Sequence, residues 1–146
     1  MEALLAPLRV RYWRGEAAQL EAEARDVADL AHTASDPSGI GRTQFLLGDV
    51  LQTKGRLNEA LAAFREAFAI FQHLAATAPS NAAWQRDLAL AHNKLGQAYQ
   101  GMGNEENAQS SYRSAVDAME RAVAMSPGTV GWKQELDHLK SWLSSG

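Results

Sequence analysis

LLGDVLQTKGRLNEALAAF, residues 46–64, has an echo in LGQAYQGMGNEENAQSSY, residues 95–112. Placing Leu47 on Leu95, an offset of 48, aligns Leu-Gly with Leu-Gly, Gln52 with Gln100, Gly55 with Gly103 and Ala60 with Ala108. The register continues ungapped through Phe64 on Tyr112, Arg65 on Arg113, Ala67 on Ala115, Pro79 on Pro127, Trp84 on Trp132 and Leu88 on Leu136. So many matches in one register mark a duplicated unit, and an internal period outranks other signals in deciding a fold.

Inside each unit the apolar residues keep helical spacing. Phe64, Ala67, Phe68, Phe71, Leu74 and Ala75 recur every three or four residues, as do Leu88, Ala91, Leu95, Ala98, Tyr99 and Met102. The breaks carry helix punctuation. Gly103-Asn104 ends one helix and caps the next, with Glu105 and Glu106 in the first turn, where the helix dipole favours acid. Lys54-Gly55-Arg56 is the matching turn, and APSNAAW (78–84) and SPGTVGW (126–132) each stop a helix at proline and start another. No period-two alternation runs long enough for a strand. The expected class is all-α.

These residues resemble the tetratricopeptide repeat (TPR) family. Leu47-Gly48-x-x-Leu51, Gly55, Ala60, Phe64 and Ala67 follow its pattern, and so do Leu95-Gly96-x-x-Tyr99, Gly103, Ala108, Tyr112 and Ala115. That pattern is one helix, a tight turn, a second helix with Ala-x-x-x-Phe-x-x-Ala, and a closing proline. Gly48, Gly96, Ala60 and Ala108 would let paired helices approach closely, with Phe64, Tyr99 and Tyr112 filling the space around the contact. The resemblance implies a right-handed solenoid of antiparallel helix hairpins: about three repeats and a C-terminal capping helix, seven helices in all. The departure is the period, since the usual repeat is about 34 residues. We expect the surplus as two insertions of about seven residues, one at the outer end of each helix. Seven is close to two turns, so each longer arm keeps its buried face buried.

A chain of 146 residues suits one domain with a substantial core. Residues 1–40 hold a weaker copy, with Arg14-Gly15-Glu16 as its turn and Leu20, Ala24, Val27, Leu30 and Ala31 as its stripe. It is expected as a degenerate repeat with helices near 2–14 and 16–34 and a short loop through SDPSGIG, 35–41; terminal repeats are commonly atypical. Repeats over 41–79 and 82–127 follow. A capping helix over 130–143 would place Trp132, Leu136, Leu139 and Leu143 on one face.

A net charge of −3 with acids and bases interspersed gives no basic field to gather phosphates, so nucleic acid is not the expected partner. The absence of cysteine removes disulfides, thiolate metal sites and cysteine nucleophiles. MEALLAPLRVRYWRGE has no long apolar run, and Arg9, Arg11 and Arg14 interrupt it, so neither a signal peptide nor a membrane anchor is expected. The default location is cytoplasmic.

No catalytic constellation emerges. His32, His73, His92 and His138 lack the spacing of a zinc site, and Gly101-x-Gly103 lacks the Lys-Ser/Thr of a phosphate loop. No enzyme activity, cofactor or metal is expected. In the family, partners bind the open face of the first helices of each hairpin. Carried onto this chain, that face holds Arg42, Phe45, Asp49 and Gln52, then Arg86, Leu90, Asn93, Gln97 and Gln100, with Arg9 and Trp13 before them and Gln134 and His138 after. Such a groove could hold an extended peptide or a helix of a partner protein; a plain solvated face is the bland alternative. Relatives that clasp C-terminal carboxylates use Lys and Asn, then Asn, then Lys and Arg, at places where this chain has Leu5 and Arg9, Leu46, then Leu90 and Lys94, and only Lys94 keeps a positive group of the expected kind. The expected function is therefore a protein–protein interaction module. Self-assembly into a homo-oligomer, or service as a regulatory domain of a larger protein, are the alternatives.

Overall fold

The computed structural model describes residues 21–23, 25, 26, 29 and 36–143. Five complete helices lie among them: α1 (Pro37–Thr53), α2 (Leu57–Thr77), α3 (Ala82–Gly101), α4 (Glu105–Met125) and α5 (Trp132–Leu143). Residues 21–23, 25, 26 and 29 are helical as well, and no strand occurs among the described residues. Six helices are thus seen among the described residues, where seven were expected of the whole chain. The helix expected near 2–14 lies outside the described residues, as do Arg9 and Trp13. Two compact units divide the chain, Met1–Ile70 and Phe71–Gly146, with the boundary inside α2.

One expectation about the local chain fails. SDPSGIG is not a loop: α1 begins at Pro37, with Asp36 as its N-cap accepting a hydrogen bond from the Gly39 N–H at 3.2 Å. The physical reason is Asp-Pro itself. Aspartate satisfies an orphan N–H, and proline suits the first helical position, where its missing N–H costs nothing. Together they outweigh the weak helix propensity of Gly39 and Gly41, both buried.

The surplus length of the repeat sits in the helices. α2 has 21 residues and α3 has 20, and the segments between successive helices from α1 to α4 are only 54–56, 78–81 and 102–104. Both tight turns repeat at the level of atoms. Gly55 and Gly103 take φ of 79° and 78°, the left-handed region that glycine enters without strain. Arg56 N donates to Leu51 O at 2.9 Å, and Asn104 N to Tyr99 O at 2.9 Å, closing both helix ends in the same way.

Close approach in each hairpin depends on a missing side chain. A Cβ at Gly48 would run into the Phe64 ring; one at Gly96 would lie 2.5 Å from Tyr112 Cε1. Phe64 and Tyr112 are both fully buried, as are Ala60 and Ala108. The aromatic ring fills the space that glycine vacates, so the Gly-to-aromatic spacing is a packing code. In the second unit α3 and α4 pack together, and α4 packs against α5. Gln85 meets Arg121 while Gly96 and Gln100 meet Tyr112, so α3 and α4 run antiparallel.

Candidate functional site

α3 starts at Asn81, whose side chain accepts from Trp84 N–H at 3.1 Å. One side of α3 meets α4. Gln85 accepts from Arg121 Nε at 3.1 Å, Ala89 is fully buried, and Gly96 lies against Tyr112. His92 belongs to the same stripe. Burial lowers its pKa from 6.5 to about 4, the Arg121 charge pushes the same way, and Asp117 opposes them. His92 is therefore neutral at physiological pH.

One residue further round the helix, about 100° away, run Arg86, Leu90, Asn93 and Gln97, all half-buried. Here α5 comes alongside. Arg86 binds Glu135 through two hydrogen bonds, Nε to Oε2 at 3.1 Å and Nη2 to Oε1 at 2.8 Å. This pairing, chiefly the hydrogen bonding, raises the Arg86 pKa above its ordinary value. The far end of α5 is fixed by Trp142, whose ring stacks on Tyr112 with centroids 5.6 Å apart. His138 meets Trp142 edge-on at 6.0 Å.

Between α3 and α5 lies a cleft of about 370 Å³. Buried Ala89, Met119 and Leu139 form its floor with half-buried Leu90. Asn93, Gln134, Glu135 and His138 supply the polar groups around it. Asn93 Oδ1 is buried and accepts no hydrogen bond among the described residues.

The expected surface residues thus have different fates. Leu90 and Asn93 of α3 and Gln134 and His138 of α5 come together in the cleft. Arg86 is engaged with Glu135. Gln100 is exposed and accepts a hydrogen bond from the Tyr112 hydroxyl at 2.8 Å. Gln97 stays half-buried. In the first unit, Arg42, Asp49 and Gln52 are half-buried on α1, whereas Phe45 is only 8% exposed and belongs to the interior. Sequence reasoning missed Glu135 and Met119. The repeat offset of 48 puts Arg86 level with Gln134, which was the available hint for Glu135; nothing in the local spacing marks Met119 as cleft floor.

A second electrostatic centre belongs to the first unit. Glu21 accepts from Lys54 at 2.7 Å and Arg56 at 2.6 Å, and pairs with Arg25 at 3.0 Å. The Lys54 hydrogen bond leads the causes that lower its pKa to about 2. This cluster ties the helical residues around 21–29 to the α1–α2 turn. Among the described residues no three His, Asp or Glu side chains gather to hold a metal, and no helix is long and apolar enough to cross a membrane.

Repeated antiparallel hairpins of this build, with glycine against an aromatic ring in each, define a helical-repeat protein. The family model described as "Tetratricopeptide repeat" matches residues 41–73 and 89–129. The chain belongs to the tetratricopeptide repeat family. It is also similar to the crystal structure of the TPR domain of Arabidopsis FLU, with a TM-score of 0.68 and 19% identity, covering 81% of this chain and 92% of that one. At that identity the likeness concerns the fold. No curated protein matches the sequence. Repeats of this family are in general protein–protein interaction modules.

Proposed function

We propose that this chain is a protein-interaction module and that the cleft between α3 and α5 is where it holds a peptide or helix of a partner protein. The observation that carries the reading is the meeting of Leu90 and Asn93 with Gln134 and His138 over an apolar floor. A concave, mostly apolar site with a few polar groups is the usual form of a binding pocket. A cytoplasmic setting fits the cysteine-free composition.

Stacking of chains through α5 has less in its favour. Lys133, Asp137 and Lys140 are all exposed there, and a polar outer face is what a solenoid needs where it meets water.

A photo-crosslinking amino acid at Gln134 tests the site. Partners should crosslink from position 134 and be lost with Leu90→Arg. Partners that crosslink elsewhere and survive Leu90→Arg would refute the cleft as the site.

A further inference from the structure

Helix α5 is held unevenly along its length. Toward its C-terminal end Leu139 is buried and the Trp142 ring stacks on Tyr112 of α4. Toward its start Trp132, Glu135 and Leu136 are only half-buried. The segment leading into it, 126–131, is barely packed: Val130 is 96% exposed, and the space beside Gly128 and Gly131 is open. Inside that segment Thr129 N–H reaches Ser126 O at 3.2 Å and Trp132 N–H reaches Thr129 O at 3.4 Å, both bonds local to the turn. Few packed neighbours mark a part of the fold that opens readily. Arg86 ties this loosely packed half of α5 to α3 through its two hydrogen bonds to Glu135. The pair is partly exposed, and an ion pair so placed is weak and screened by salt. Such a tie sets a position and still releases.

We infer that the Arg86–Glu135 pair is a releasable latch and that α5 is a lid on the cleft floor. On release, the start of α5 swings away from α3 about its anchor at Leu139 and Trp142. Met119 of α4, which lines the floor and is 1% exposed, is then uncovered. The role of this motion in binding rests on the cleft reading above. A partner whose apolar side chain reaches Met119 binds the open form better and shifts the population toward it.

The chain has no cysteine, so a single introduced thiol reports the opening. Met119→Cys places one on the cleft floor, and Ala115→Cys places a control at a fully buried position of α4 outside the cleft. N-ethylmaleimide, a neutral reagent, should label Met119→Cys about two- to fivefold faster once Glu135→Gln is added, with Ala115→Cys unchanged. Raising salt from about 0.05 to 0.5 M should speed labelling of the floor with the pair intact and leave the rate flat in Glu135→Gln. Exchanging the charges, Arg86→Glu with Glu135→Arg, should restore slow labelling, which separate roles for the two residues would not give. Ala89→Cys, also on the floor, replaces Met119→Cys should that variant lose helical circular dichroism. Equal acceleration at Ala115→Cys would mean that the whole unit loosens, and an unchanged rate at the floor would mean that α5 is fixed; either result overturns the latch. The labelling uses no partner, so that failure would leave the cleft as the site. Failure of the crosslinking test would leave the latch and remove only its role in binding.

Discussion

α3 and α5 hold the same place in successive repeats and differ on one side. Their apolar stripes correspond: Trp84, Leu88, Ala91 and Leu95 stand where α5 has Trp132, Leu136, Leu139 and Leu143. The side that α3 turns to α4 does not correspond. There α3 has Gln85, Ala89 and His92, buried or half-buried, and α5 has Lys133, Asp137 and Lys140, all exposed. Exposure follows the same division, since Leu88 and Leu95 are buried while Leu136 and Leu143 are only half-buried. A repeat position stays uncharged where a neighbouring helix covers it and turns charged where water does. Helix α5 is therefore repeat-like toward α4 and surface-like on its other side.

Exchanging the two chemistries is the most direct way to break that comparison. Ala89→Asp would place the Asp137 chemistry of α5 into the α3–α4 contact. An uncompensated buried charge costs about 3–5 kcal/mol, so urea unfolding should show the largest loss here. Next comes Gly96→Ala. Its Cβ would press on the Tyr112 ring, and overpacking of this kind costs about 1–3 kcal/mol; an unchanged midpoint would show that the hairpin relaxes freely.

A pH titration sharpens the comparison at His92, where α5 has the exposed Lys140. The folded-state pKa is depressed from 6.5 to about 4, so within that window the unfolded chain binds more protons. Stability should fall as pH drops from about 6.5 toward 4 and then level off with respect to this group. His92→Gln should remove that part of the pH dependence. The smallest effect belongs to Asp137→Ala, the reverse exchange on the water-facing side. It should stay within about 0.5 kcal/mol, and a larger loss would mean that α5 is not surface-like there.

Much of the fold was legible in the residues themselves. Gly48 with Phe64 and Gly96 with Tyr112 announced the close hairpins, because steric fit between neighbouring helices leaves a fixed spacing in the chain. Gly55 and Gly103 announced the turns, because a left-handed φ strongly favours glycine. Asp36-Pro37 carried an equally clear signal, an N-cap followed by proline, yet the glycines around it suggested a loop. The site was less legible. Phe45 and Leu90 were both placed on an open face by repeat register, but only Leu90 lines a cleft. Successive helical residues point about 100° apart, and register alone does not say how deeply a neighbour covers each one.

By itself the sequence determined the duplicated unit, the lengthened helices, the turns and the glycine–aromatic contacts. Each of these is set by interactions within a helix or between helices adjacent in the chain. Tertiary structure alone decided that Arg86 reaches Glu135, that Trp142 stacks on Tyr112, and that Asn93 keeps a buried acceptor beside an apolar floor. Those outcomes depend on how far one helix axis turns and slides against another, a geometry fixed by the packing of whole side-chain faces rather than by any local run of residues.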